Sequence, residues 1–333
     1  MNLPELVRTI RWMIRDTIRQ SLATKLFWVM LGTTAIATLF CLSIAVTTDA
    51  NDKPSAEFPG MLPRAEAERI GIDKVREDGI AVVGGEISLG FGMMTVPIVR
   101  SKDDAVKNIM LVMVGLIGDA FGILLALLWT AGFLPQFLEP QSATVLLSKP
   151  APRWTLLIGK YLGVVGFVAL NAILFVAGTW IALGLRTGVW YAPYWLAVPL
   201  LVINFGVFYS VSVFFAVWTR NTTVAAFGTI LFWFVCWAIN YTHHHMIAYP
   251  FAGFSGQGSI FLDIAYWVLP KPFDLGGIFF DAMNADEFRT KADELKLVQA
   301  AGRFHPELSI LADGLFAAGA LAIAGYELET MDY

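Results

Sequence analysis

Residues 109–133 read IMLVMVGLIGDAFGILLALLWTAGF, an apolar run in which Asp119 is the one charged residue. At 1.5 Å rise per residue a helix of that length reaches about 37 Å, enough to cross a hydrocarbon core of roughly 30 Å. Leu26 to Val46 is a second such run, free of charge throughout. Others follow at about 162–185, 195–218 and 224–241, and a sixth, rich in alanine and glycine, covers about 308–326. Only 15% of the residues are charged, against about 25% in soluble domains. The chain therefore reads as an all-α integral membrane protein with six transmembrane helices in a single domain, 1–333.

The charges between these runs predict an orientation. Arg8, Arg11, Arg15, Arg19 and Lys25 precede the first run, Lys149, Arg153 and Lys160 lie between the second and third, and Arg220 lies between the fourth and fifth. Short cationic segments are retained in the cytoplasm, so the expectation is a multi-pass protein of the cytoplasmic (inner) membrane with both termini cytoplasmic. Leu3, Leu6, Ile10, Met13, Ile14 and Ile18 fall at helical spacing opposite the arginines. That pattern is either an amphipathic helix in the interface or a basic anchor that fixes topology. Met1 to Lys25 lacks the short apolar core of a cleavable signal. Loops 47–108 and 242–307 fall on the other side. The first has a helical candidate, Arg64 to Glu77, then a glycine-punctuated stretch, Gly79 to Arg100, which together predict a small extracytoplasmic α/β cap. In the second, Ile260 to Val268 is too short to span and ends at Pro270-Lys271-Pro272, which suits a re-entrant or interfacial segment. A polar helix is expected over 285–301.

Little in the chain suggests catalysis. A formal net charge of -4 offers no basic surface for nucleic acid. Cys41 and Cys236 sit singly in apolar runs and support neither a disulfide framework nor a zinc site. No phosphate-binding Gly-x-x-x-x-Gly-Lys-Ser/Thr occurs, since Gly159-Lys160 is followed by Tyr161. No catalytic, cofactor-binding or metal-ligating residue is assigned. His243, His244 and His245 point about 100° apart on a helix and so do not converge on one ion; they read as interfacial rings at a helix end. Asp119 is the one acid well inside a predicted span, either a hydrogen-bonded structural group or a residue lining a translocation route. Gly118-x-x-x-Gly122, with Gly115 one turn earlier, predicts a closely packed helix face beside it. Asn171, Asn204 and Asn240 are expected to form hydrogen bonds between helices.

The segment joining the second and third spans, PQFLEPQSATVLLSKPAPRWTLLIGKY over residues 135–161, combines prolines with apolar Phe137, Leu138, Val145, Leu146 and Leu147. A constrained, partly apolar loop of this kind suits docking on a soluble partner or lying flat on lipid. Leu146-Leu147-Ser148-Lys149-Pro150, followed by Arg153 and by Gly159-Lys160-Tyr161, resembles the signature of type 2 ATP-binding cassette permeases. The nearest likeness is to the branch of the nitrous-oxide-reductase maturation permease. The ending Tyr326-Glu327-Leu328-Glu329-Thr330-Met331-Asp332-Tyr333 is similar to that family's ending as well. The resemblance implies a permease subunit moving an unidentified substrate, in the export direction, with ATP and Mg bound by a partner ATPase subunit. It also implies a homodimer or heterodimer of permeases, and places Glu139, Leu146, Leu147, Ser148, Lys149, Pro150, Arg153 and Lys160 in or beside the ATPase-coupling loop 134–161. The alternative is a secondary transporter or other polytopic protein not coupled to ATP, which would usually show internal repeats and several intramembrane ionisable groups.

Overall fold

The computed structural model describes residues 3–23, 25–47, 61–63, 69–71, 81–83, 85–98, 102–137, 152–249, 257–284 and 293–330. Helix α1 (Leu3–Ala23) and helix α2 (Lys25–Leu42) meet at a bend of 67° between Arg8–Leu22 and Phe27–Leu42. The expected first span ran to Val46. The helix instead stops at Leu42, because Ala45–Thr47 pairs as strand β1 with Glu86–Ser88. Strands β2 (Met61–Pro63) and β3 (Ala81–Val83) form a parallel pair. Strands β4 (Gly85–Leu89) and β5 (Met94–Ile98) form an antiparallel hairpin, giving a sheet of order β1-β4-β5. The hairpin turns through left-handed Gly90, Phe91 and Gly92, two glycines where L side chains are disfavoured. Its tip is fastened to the end of α2 by Gly90 N–H donating to Ser43 Oγ and Phe91 N–H to Ser43 O, each at 3.2 Å. Of the helix expected over 64–77 only Arg69 and Ile70 are seen as helical; residues 64–68 and 72–80 lie outside the described residues.

Among the described residues, five helical stretches are long and apolar enough to cross a membrane, or six where the bent α1–α2 pair is counted as one span. The second crossing, Lys102–Pro135, is built from α3 (Lys102–Val112), a π-helical segment (Met113–Gly122) and α4 (Ile123–Thr130), and leads into the short α5 (Phe133–Phe137). Helix α6 (Arg153–Thr187) has 35 residues, about 52 Å, so it outreaches the roughly 30 Å hydrocarbon core. It ends at left-handed Gly188, whose N–H bonds Gly184 O at 2.8 Å. A 3-10 turn (Ala192–Leu196) leads into α7 (Ala197–Thr219). The polar turn Thr219–Thr222 then works by local chemistry: Arg220 takes φ 51° to close α7, and Asn221 Oδ1 accepts from Thr223 N and Val224 N to cap α8 (Thr222–Ala248). Among the described residues the chain then forms α9 (Gln257–Val268), α10 (Pro272–Ala282), α11 (Asp293–Ala300) and α12 (Pro306–Thr330). The polar helix expected over 285–301 is seen as α11, with 285–292 outside the described residues.

Helix α7 is the most enclosed of the spans, packed by α6, α8 and α12. Phe205, Phe208 and Tyr209 fill one apolar cluster with Phe167 of α6. Tyr161 of α6 stacks on Tyr209 at 5.7 Å between ring centroids and donates to Gly206 O at 2.9 Å, so α6 and α7 are joined by both packing and a hydrogen bond. A second cluster around Cys41, Val106, Met110, Leu183, Tyr194 and Phe279 joins α2, α3, α6 and α10 near the sheet. The bundle thus has two ends. One, the α1 end, carries α1, the start of α6, the α7–α8 turn and the end of α12; the other, the sheet end, carries the strands, the end of α8, α9 to α11 and the start of α12.

Candidate functional site

Asp119 lies in the π-helical segment, whose i→i+5 hydrogen bonding is rare and concentrated at functional positions. Leu111, Val114, Gly115 and Asp119 form one wall of a cavity of about 130 Å³; Leu200 and Leu201 of α7 and Leu275, Gly276, Phe279 and Phe280 of α10 form the other. Asn204 of α7, 1% exposed, donates from Nδ2 to Asp119 Oδ1 at 2.5 Å. The glycines beside Asp119 divide in function. A Cβ on Gly118 would stand 3.3 Å from Phe175 and 3.4 Å from Leu201, the close packing expected there, whereas a Cβ on Gly115 would meet nothing within 4 Å. A second, mostly apolar cavity of about 160 Å³ lies on the opposite side of the segment, among Met30, Thr33, Thr34, Phe121, Asn171 and Ala172. Asn171 does not bridge helices as expected: its Nδ2 donates to Phe167 O of its own helix, and among the described residues its buried Oδ1 has no partner.

At the α1 end, Glu139, Leu146, Leu147, Ser148, Lys149 and Pro150 lie outside the described residues, and Arg153 and Lys160 flank them. Arg153 opens α6 and donates from Nη1 to Leu328 O of α12 at 3.2 Å. Lys160 is 5% exposed and donates to Gln20 Oε1 of α1 at 2.8 Å, with Phe133 beneath its ammonium. The two helices approach closely there because Gly159 and Gly163 present bare backbone to Met13 and Thr17. A Cβ on Gly163 would fall 2.6 Å from Thr17 Cβ. The amphipathic face of α1 is therefore partly spent on protein, Met13, Thr17 and Ser21 being buried while Trp12 is 46% exposed.

The sheet end holds a polar network that the sequence reading passed over. Asp274 of α10, 0% exposed, receives His244 Nε2 of α8 at 2.6 Å, Tyr266 Oη of α9 at 2.7 Å, Ser309 Oγ of α12 at 2.5 Å and Asn240 Nδ2 at 3.4 Å. His243 pairs with Asp263 at 3.1 Å and stacks on the Tyr266 ring at 3.8 Å. Lys271, between its two prolines, is also fully buried. Its N–H donates to Asp313 Oδ1 at 2.9 Å, and its ammonium stands about 5 Å from the Tyr266 and Trp267 rings. Burial drives the Lys271 ammonium below its usual range, against the pull of Asp313 and Asp274. Burial pushes Asp274 up, but the hydrogen bond and charge of His244 and the hydroxyls of Ser309 and Tyr266 outweigh it and hold the carboxyl below the ordinary range.

Two expectations are corrected by this network. His243 and His244 do not stand at a helix end: α8 continues to Ala248, past the expected end near Tyr241, and both rings are buried on carboxylates. Asp119 is also not the one acid inside a span, since Asp313, 1% exposed, lies within the last crossing. The sequence carried a signal for the second point, an acid inside an apolar run, but none for the pairing of His244 with Asp274.

No curated protein and no solved structure matches the chain. Residues 13–271 match the model of the family described as ABC-2 family transporter protein, an interval running from α1 to Lys271 that takes in Arg153, Lys160, Asp119 and Asn204. Multiple crossings around a largely apolar cavity that Asp119 lines fit that match, and the chain belongs to the ABC-2 transporter family, as a membrane permease component.

Proposed function

We propose that this permease exports its substrate across the cytoplasmic membrane, driven by ATP that a separate ATPase subunit binds with Mg and hydrolyses at the α1 end. In this reading the whole of 1–333 is one transmembrane domain, both termini are cytoplasmic, and two permease subunits pair. The narrower likeness to the nitrous-oxide-reductase maturation branch belongs to the same proposal and rests on Leu146 to Pro150 and the chain ending. The observation that carries it is the anchoring of the helix that follows residues 138–151. Arg153 is tied to α12, Lys160 to α1, and Gly159 and Gly163 lock α1 onto α6. Force applied to the segment before Arg153 reaches three elements at once. Helix α6 then passes it to α7 through Tyr161 and Tyr209, as a rigid-body switch needs. ATP can drive such a switch only by favouring one of the two states.

The test is co-purification of the permease with an ABC-type ATPase expressed alongside it. Glu139→Lys and Arg153→Glu are expected to lower recovery of the ATPase about tenfold or more, the loss of a paired charge at an interface, while the permease still inserts. Full recovery with both variants removes the docking reading. A second reading, transport driven by an ion gradient, is favoured by the intramembrane acids Asp119 and Asp313. It requires solute movement by the reconstituted permease without ATPase.

A further inference from the structure

We propose that Asp119 and its cavity form a binding site for an amphiphile carrying a single protonated amine, with an apolar body about the size of one ring next to the nitrogen. This deepens the permease reading by naming a substrate class, and it rests on that reading for its transport meaning. Three observations carry it. First, Asp119 uses one oxygen only: Oδ1 takes the Asn204 hydrogen bond, and among the described residues Oδ2 has no protein donor. A purely structural acid at membrane depth is expected to satisfy both oxygens, since hydrocarbon supplies no donors.

Second, the space beside it is built for an apolar body. The remaining lining is Leu111, Val114, Leu200, Leu201, Leu275, Phe279, Phe280 and two glycines. Its volume of about 130 Å³ is close to the ~150 Å³ of an apolar cavity that takes up benzene. Third, the mouth is kept open by glycine on both walls. Gly115 and Gly276 are exposed, and a Cβ on either meets nothing within 4 Å, so no packing contact explains the missing side chains.

Charge selects the ligand. An ionised carboxylate alone at this depth is costly, and a cation that enters with its own apolar body supplies the missing partner. An anion would oppose Asp119, and a neutral ring would leave Oδ2 unpaired. Asn204 acts as a positioning residue that holds the carboxyl toward the cavity.

The experiment uses the purified permease in lipid nanodiscs without any ATPase, titrated by fluorine NMR with para-fluorobenzylammonium and with the neutral isostere para-fluorobenzyl alcohol. The ammonium is expected to bind about tenfold or more tightly than the alcohol, as for a charge-assisted hydrogen bond. Asp119→Asn, which keeps size, should bring the ammonium down to the level of the alcohol. Gly276→Leu and Gly115→Leu, whose Cβ atoms meet nothing within 4 Å and whose longer side chains occupy the mouth, should abolish binding of both. Equal binding of the two ligands to the wild type, a preference that survives Asp119→Asn, or binding unaffected by either leucine overturns the proposal. Should Asp119→Asn fail to fold, the two leucine variants and the wild-type ligand pair decide alone. Because no ATPase is present, failure here leaves the coupling experiment untouched, and failure there leaves this titration interpretable.

Discussion

Asp274 shows how a fully buried charge is retained in a membrane protein. Each of its oxygens is met by donors from other elements, His244 and Asn240 on Oδ1 and Tyr266 and Ser309 on Oδ2. Removing the carboxylate strands all of them, so Asp274→Ala is expected to cost about 3–5 kcal/mol, read as a large fall in thermal unfolding temperature in detergent. Asp274→Asn, which keeps part of the network, should cost less. The sign of the pH dependence follows from the depressed pKa. The contribution is complete above the unfolded value of about 3.9 and is lost as pH falls through the folded one. The wild type should therefore lose melting temperature on the acid side of about pH 4, a decline that Asp274→Asn lacks; an identical acid limb in both proteins would show that Asp274 is not its source.

Among the elements, the contact of α1 with α6 turns on two glycines of α6. Gly159 and Gly163 are one helical turn apart and receive Met13 and Thr17, also one turn apart. Gly163→Ala places a Cβ against Thr17 and is expected to destabilise by about 1–3 kcal/mol, freeing α1 to proteolysis. In a Thr17→Gly background the obstacle is gone, and the same substitution should become nearly neutral, the signature of direct contact in a double-mutant cycle. If the cost is the same in both backgrounds, α1 does not dock on this face. The α7–α8 turn is the contrasting case, since Arg220 and Asn221 act locally and would turn the chain in any context that returned it across the membrane.

At the scale of the whole molecule, the two ends differ in chemistry: the α1 end is joined by the close packing of α1 on α6 and by the hydrogen bonds of Arg153 and Lys160, the sheet end by a buried ionic network linking α8, α9, α10 and α12. The Asp119 cavity lies between these ends, where the π-helical segment, α7 and α10 meet. The proposed orientation is open to labelling in intact cells with a membrane-impermeant thiol reagent, in a background where Cys41 and Cys236 are replaced. Ser148→Cys should react only after the cytoplasmic side is exposed. Phe91→Cys, at the 76% exposed hairpin tip, should react from outside; the reverse pattern overturns the orientation.

The crossings were legible in the sequence because each depends on residues close together in the chain. Apolar length decides whether a helix crosses lipid. Asp119 stood out for the same reason, as a charge interrupting an apolar run. The partners were not legible. His244 and Asp274 are 30 residues apart, Lys271 and Asp313 42, and Asn204 and Asp119 85. Only the folding of α9 and α10 back against α8 and α12, and of the π-helical segment against α7, decided which polar group faces which. In lipid that choice is settled by mutual satisfaction of buried donors and acceptors, a property of the assembled bundle that no local stretch of sequence encodes.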